Sequence, residues 1–403
     1  MQQLSPLERA LIDRVDAAPM LEQVLAWSAI NTGTGNLEGL ARQWDELAQA
    51  FSALPGTLAA VQPAPVIAIA PDGSERETAN GAHLVLRVRP EASRRFLLTG
   101  HMDTVFPPGH PFQQTVWSDP QTLNGPGVAD MKGGIAVILA ALTAFETCEA
   151  AHGVGYDVLI NSDEETGSLS SAPLIAELAQ GKAAALTYEP SAQPDGTLAG
   201  ARAGSGNYSV IVTGRSAHAG RNPQDGRNAV VAAADLALRL KALTREGLSV
   251  NPAKIDGGSA NNVVPDRAVL RFNIRPRTPA DAIAFDRAFA ALLAEVAGAH
   301  DVAMHCHGGV SRPPKPIDAK AERLFTLVEE CSALLGQPVT RIASGGVCDG
   351  NNIAACGVPV VDTMGVRGGA IHSPDEFLIV PSLEERARLS ALVLHRLASG
   401  APL

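Results

Sequence analysis

Along the first two hundred residues, dense apolar runs take turns with stretches in which apolar positions recur every three or four residues. The helical spacing predicts helices near 37–53, 133–148 and 171–179, and the dense runs predict strands near 83–89, 95–100, 156–162 and 184–188. The opening MQQLSPLERALIDRVDAAPM reads as a further amphipathic helix with charges throughout. FLLTG (96–100) and YDVLINS (156–162) are apolar almost throughout, as strands covered on both faces must be. The alternation predicts an α/β sheet with helices on both faces, whose ligands gather beyond the C-terminal ends of its strands.

From about residue 206 the order changes to strand 207–213, helix 226–243, strands 252–256 and 268–275, helix 279–297 and strand 301–307. This β-α-β-β-α-β succession is that of a ferredoxin-like unit. Helix 319–335, strand 359–363 and helix 383–398 then return to the first pattern. A small unit over 204–312 is therefore expected to be inserted into a large one built from 1–203 and 313–403. Pro194-Asp195-Gly196 and Arg312-Pro313-Pro314 supply turn chemistry near the two junctions.

The length of 403 residues fits this division, since it exceeds one ordinary core. A hydrophobic share of 46% with 38 Gly and 28 Pro describes a loop-rich globular chain. The net charge of −10, without a Lys/Arg run, argues against a nucleic-acid partner. No uninterrupted apolar run of about 18 residues is present, so no membrane-spanning segment is expected. The N-terminus lacks the basic start and apolar middle of an export signal, and five widely spaced cysteines without a CxxC pair suggest reduced thiols. A cytoplasmic location is the resulting expectation.

Chemistry concentrates in five short stretches. GHMDTVF (100–106) places His101 and Asp103 two positions apart after a buried strand, on one face of a continuing extended chain. GPGVADMKGG (125–134) surrounds Asp130 with glycines at the entry to a helix, where positive φ and close backbone approach are available; an N-cap aspartate would look the same. It matches neither phosphate-loop pattern. NSDEETGS (161–168) lines up Asp163, Glu164 and Glu165, which repel one another unless solvated or bound to cations. Tyr188-Glu189-Pro190 sets another acid after an apolar run, and GAIHSPDEF (369–377) sets His372 in a Gly-rich loop. Each alone is an acid or histidine in a loop. Together, oxygen and imidazole donors without a thiolate cluster suit a pair of zinc-like divalent ions sharing one carboxylate. No GxSxG elbow offers a serine nucleophile instead.

These motifs, with AINTGTGNLEGLA, GRSAHAG, SANNVVP and GGVCDG between and around them, resemble the zinc-dependent exopeptidases. That group includes glutamate carboxypeptidase (carboxypeptidase G), acetylornithine deacetylase, succinyl-diaminopimelate desuccinylase and aminoacylase. The likeness runs through nearly the whole chain. It implies a mixed-sheet catalytic domain with an inserted dimerisation or lid domain, and two Zn2+ per chain, Co2+ or Mn2+ being alternatives. Asp130 would bridge the ions, His101 and Glu189 completing one and Glu165 and His372 the other. Asp103 would orient His101, and Glu164 would be the general base. In the small unit His218 would stabilise the oxyanion of a partner subunit's reaction, so a homodimer is implied. Asn262 and Arg275, with Arg312 as a further candidate, would hold the substrate's carboxylate.

The implied substrate is a small N-acyl amino acid or short peptide that releases an amino acid with a free carboxylate. A deacylase of the aminoacylase or desuccinylase kind is the alternative, and a catalytically dead relative would have lost a ligand or the base. One departure stands out: the family loop commonly reads Gly-Gly-Gly-Thr-Asp, whereas Gly345-Gly346-Val347-Cys348-Asp349 occurs in this chain. His305 and His307 match no family ligand and read as alternating positions on an outer strand.

Overall fold

In the computed structural model, which describes residues 3–403, the large unit is organised by a six-stranded mixed sheet. Its order is Thr57–Val61, His83–Val88, Gly155–Asn161, Arg95–His101, Ala184–Thr187 and Val360–Val361. The first two pairings are antiparallel and the remaining ones parallel. Alternate residues of these strands enter opposite cores. Leu86, Phe96, Leu98, Val158, Ile160 and Leu186 face one side, and Val85, Leu97, Leu159 and Ala185 face the other. The near-continuous apolar runs follow from this two-sided burial.

Helix Gly133–Phe145 reads GGIAVILAALTAF and has no polar face because it is enclosed between the sheet and helix Ser382–Ala398. Among the described residues, Val128–Phe145 is the one helical span long and apolar enough to cross a membrane, and 89% of it is buried inside the protein. It is a core helix. The second face of the sheet is covered by Ala172–Ala179 and Asp349–Ala355, through Leu174, Ile175, Leu178 and Ile353.

Residues 205–312 form a four-stranded antiparallel sheet in the order Leu248–Gly257, Arg267–Pro276, Ser205–Thr213 and Ala303–Arg312. Helices Ala229–Ala242 and Pro279–His300 pack on one face. Chain order is βαββαβ. Tyr208 stacks on Phe272 with ring centroids 4.8 Å apart, and Phe285 and Phe289 complete an aromatic core.

Several elements differ from the sequence-based expectation. The opening stretch is two helices: Pro6–Ile12, started by a Ser5–Glu8 capping box, and Ala18–Ser28; Met1 and Gln2 lie outside the described residues. The strand expected over 252–256 runs from Leu248 to Gly257, with a register shift after Pro252, tolerable because this is an edge strand. The strand expected over 301–307 is Ala303–Arg312, its pairing continuing through Gly308 at φ +98°. The hairpin Val66–Ile69 and Glu75–Thr78 was not anticipated. It leaves the large unit to lean on the small sheet, where Ile67 O accepts from His307 Nε2–H at 2.8 Å and Ile69 O from Arg271 Nη2 at 2.8 Å. That contact accounts for His307, which serves as a hydrogen-bond donor.

Candidate metal centre

Three parallel strands deliver His101, Glu164, Glu165 and Glu189 to one edge. His101 ends Arg95–His101 and is 1% exposed; its Nδ1 lies 3.0 Å from Asp103 O and 3.3 Å from Asp103 Oδ1, while Nε2 points to Asp130 Oδ1 at 3.0 Å. Asp103 does more than orient that ring. Its Oδ1 accepts Glu164 N–H at 3.1 Å, and its Oδ2 accepts Glu165 N–H at 3.1 Å and Thr34 Oγ1–H at 2.8 Å. One buried carboxylate thus ties the ends of two neighbouring strands.

Asp130 sits where the glycine-rich stretch enters the core helix. Gly127 adopts φ +71°, and a Cβ on Gly134 would stand 2.1 Å from Tyr188 O, so both glycines are required by the backbone. Asp130 does not cap the helix. Its Oδ1 faces His101, and its Oδ2 faces His372 Nε2 at 3.3 Å. Glu165 Oε2 lies 3.1 Å from that same imidazole nitrogen, and Glu189 Oε2 lies 3.7 Å from His101 Nε2. The other Glu189 oxygen is buried with no hydrogen-bond partner among the described residues.

Asp163 turns away from this cluster: its carboxylate accepts the Ser170 and Ser171 hydroxyls at 2.8 and 2.6 Å and pins the loop beneath it. Two triads of donors lie mutually within 4.8 Å, His101–Asp130–Glu165 and His101–Glu164–Glu189. His372, half exposed at φ +62°, stands outside both triads but reaches Asp130 and Glu165. Proximity alone therefore does not separate Glu164 from the candidate ligands. Its partner does: Glu164 Oε1 accepts Arg312 Nη2–H at 2.7 Å, whereas Glu165 faces an imidazole.

The electrostatics are those of acids crowded without enough positive charge. Burial, then Asp130, pushes Glu165 up to about 7, and burial also raises Glu189. Burial holds Glu164 well above the carboxylate range against the pull of Arg312. His372 is pushed up to about 11 by its bonds to Asp130 and Glu165. Two imidazoles, three carboxylates and an unsatisfied buried acceptor form a donor set that divalent cations would neutralise. The residues present fit a two-ion site.

A cavity of about 730 Å³ opens on Asp130, Glu164, Glu189 and His372, and Arg275 and Cys348 line it too. Arg275 donates through Nε to Asn273 Oδ1 at 3.0 Å and, among the described residues, forms no ion pair. Arg312 corrects the sequence-based expectation. It is 2% exposed, outside the cavity lining, and committed to Glu164, to Asp349 Oδ1 at 2.8 Å and to Ser168 Oγ at 2.9 Å. Both terminal nitrogens of its guanidinium are engaged in organising the loop that carries Glu164. His218 and Asn262 come together on one exposed surface, Ala219 N–H donating to Asn262 O at 2.9 Å, and neither lines this cavity. A larger groove of about 870 Å³ between the hairpin and the small sheet holds none of the five candidate ligands.

Sequence reasoning missed three buried groups. Arg202 forks onto Asp362 at 2.7 and 3.2 Å and holds Gly346 O, fixing the Gly-Gly loop of the cavity. Lys132 Nζ donates to Trp27 O and Ile30 O, both at 2.9 Å. Glu376 accepts three backbone N–H groups of the Asp130 loop. Nothing in their spacing distinguishes them from ordinary charged loop residues.

Residues 97–396 match the family described as Peptidase family M20/M25/M40. The chain is 28% identical over 380 residues to carboxypeptidase G2 of Pseudomonas sp. (strain RS-16), covering 92% of this chain and 87% of that protein. It is 29% identical over 324 residues to succinyl-diaminopimelate desuccinylase of Xanthomonas oryzae pv. oryzae, covering 75% and 83% respectively. Among solved structures, a tripeptidase from Staphylococcus aureus superposes with a TM-score of 0.73 at 24% identity, over 96% of this chain and 100% of that one. An M20 family metallo-carboxypeptidase from Sulfolobus solfataricus superposes with a TM-score of 0.68 at 14% identity, over 93% and 98%.

Proposed function

The chain belongs to peptidase family M20/M25/M40, and from that premise we propose that it hydrolyses an amide or peptide bond to release an amino acid with a free carboxylate. Glutamate is the first candidate for that amino acid. The observation that carries this reading is Arg275, a guanidinium without an ion pair among the described residues, in the cavity that also holds Asp130, Glu164, Glu189 and His372. Such a group binds a carboxylate in a two-point fork.

His101, Asp130 and Glu189 would hold one ion and Asp130, Glu165 and His372 the other, with zinc as the proposed metal. When bound, a divalent pair polarises the scissile carbonyl and cancels the charge of the clustered acids. Glu164, its Oε1 fixed by Arg312, is oriented to take a proton from the attacking water and pass it to the leaving nitrogen. Asp103 keeps the His101 ring and the Glu164–Glu165 backbone in register, so base and ligands move as one body. Cys348, buried at the cavity wall with its thiol raised well above its usual range by burial, stays neutral and shapes the pocket.

Residues 204–312 are proposed to act as lid and dimerisation unit, and 1–203 with 313–403 as the catalytic unit. The exposure of His218 and Asn262 away from the cavity supports their acting on a second subunit. A cytoplasmic location remains part of this proposal, resting on the composition. The decisive experiment measures amino-acid release from matched acyl-glutamates, acetyl-amino acids and succinyl-amino acids by metal-reconstituted protein. Preference set by the released amino acid supports the carboxypeptidase reading. Preference set by the acyl group, whatever amino acid is released, replaces it with a deacylase.

A further inference from the structure

Glu376 stands outside the residues proposed to hold ions or substrate, yet it is 1% exposed and gives both oxygens to one stretch of backbone. Oε1 accepts the N–H groups of Ala129 and Asp130, each at 3.0 Å, and Oε2 accepts that of Gly127 at 3.1 Å. N–H groups converging in this way form a concave anion nest. The main chain of Glu376 is bound to the same region. Its carbonyl accepts Gly125 N–H at 3.2 Å and Asn124 Nδ2–H at 2.8 Å, and Phe377–Ile379 continues as a strand beside Thr122–Asn124.

His372 lies four residues before Glu376, in a loop where Ala370 and His372 both have positive φ, at +52° and +62°. The imidazole is 54% exposed, so burial does not hold it opposite Asp130. The other side of the cluster is built differently: His101 ends a core strand at 1% exposure, and Glu189 follows another. One half of the ligand set is fixed by the sheet. In the other half Glu165 also follows a core strand, whereas Asp130 and His372 depend on the joint between two loops, and the carboxylate of Glu376 is that joint.

We propose that Glu376 is a positioning residue that holds Asp130 in place relative to His372, and so sets the affinity of the ion shared by Asp130, Glu165 and His372. The ion shared by His101, Asp130 and Glu189 is affected much less. This inference rests on the two-ion reading of the site.

The test titrates metal-free full-length protein with Zn2+ against a competing chelator, for wild type, Glu376→Ala, Glu376→Gln and His372→Ala. Wild type is expected to bind two ions per chain. In Glu376→Ala one of them weakens by about 10–100-fold, the size typical of removing a partner behind a ligand, while the other changes far less. His372→Ala identifies that ion by weakening the same one. Glu376→Gln falls between, since its amide oxygen still accepts from Ala129 and Asp130 while its NH2 meets the Gly127 N–H. Circular dichroism checks that each variant is folded, and Glu376→Gln carries the comparison if Glu376→Ala does not fold. Fewer than two ions in wild type would overturn the two-ion reading itself. Two ions in wild type, with both affinities unchanged in the folded variants, would overturn the role of Glu376 alone. Equal weakening of both ions would also overturn it, because Glu376 would then act on Asp130 without the His372 segment.

Discussion

Replacing Arg312 with Met separates the role the structure gives this residue from the carboxylate-binding role that the family resemblance suggested. The guanidinium is 2% exposed and compensates two buried acids, Glu164 at 2.7 Å and Asp349 at 2.8 Å. Methionine fills much of the volume but leaves both carboxylates without their cation. Removing one partner of a buried pair costs about 3–5 kcal/mol, a large share of a typical total of about 5–15 kcal/mol. The assay is urea unfolding of wild type and Arg312→Met at one fixed metal concentration, since ion binding to the folded state alone shifts the midpoint. In a Glu164→Gln background the same replacement should cost less, by roughly 0.5–3 kcal/mol, because one of the bare charges has already gone. Kinetics supply a second signature. A residue that orients Glu164 lowers kcat with KM nearly unchanged, whereas one that grips the substrate raises KM. Wild-type stability together with a raised KM would refute the orienting role of Arg312 and restore it as a substrate-binding residue.

Four further outcomes can be checked independently. Glu164→Gln should keep its metal yet lose about 10²–10⁴-fold in turnover, as removal of a general base does, while Asp130→Asn should lose metal; near-normal turnover of metal-loaded Glu164→Gln would exclude Glu164 as the base. Arg275→Ala should weaken transition-state binding by roughly 2–5 kcal/mol, read from kcat/KM, with no such loss on substrates amidated at the C-terminus. Glu164→Ala and His218→Ala chains, each nearly inactive, should regain activity when mixed under conditions of subunit exchange, and heterodimers without recovered activity would rule out action in trans. His83 is held below its ordinary value of 6.5 by burial, so the unfolded chain takes up its proton first and stability falls as pH drops below that value. His83→Asn should flatten this acid-side loss in denaturation midpoints compared between about pH 7.5 and about pH 5.5.

What could be read from the chain follows the physics of its patterns. The buried parallel strands announced themselves because two-sided burial leaves continuous apolar runs, as in FLLTG and YDVLINS. His101, Glu165 and Glu189 stood out by type and by position just past such strands, Asp130 and His372 by type within Gly-rich stretches, and the structure brings their donor atoms together. The hairpin at 66–78 escaped because its four-residue strands are held by side chains of a distant sheet, Arg271 and His307, donating to its carbonyls. The pairing of Arg312 with Glu164 and the whole of Glu376 escaped for a related reason. Their partners are 148 residues away at Glu164 and 246 residues away at Asp130, and no local periodicity encodes such pairing. Glu164 and Glu165 were separable only through the family resemblance, whereas the structure separates them through Arg312 and His372.

A two-ion centre working on the carboxylate end of an amide substrate is tested most directly by restoring ions to metal-free protein while following amino-acid release. Each substrate is supplied with a free or an amidated C-terminus. Release is expected to be absent without metal, to reach its plateau at two ions per chain, and to occur on the free acid far faster than on the amide. Release that persists in chelated protein, or that proceeds equally on acid and amide, would contradict a two-ion, carboxylate-directed centre.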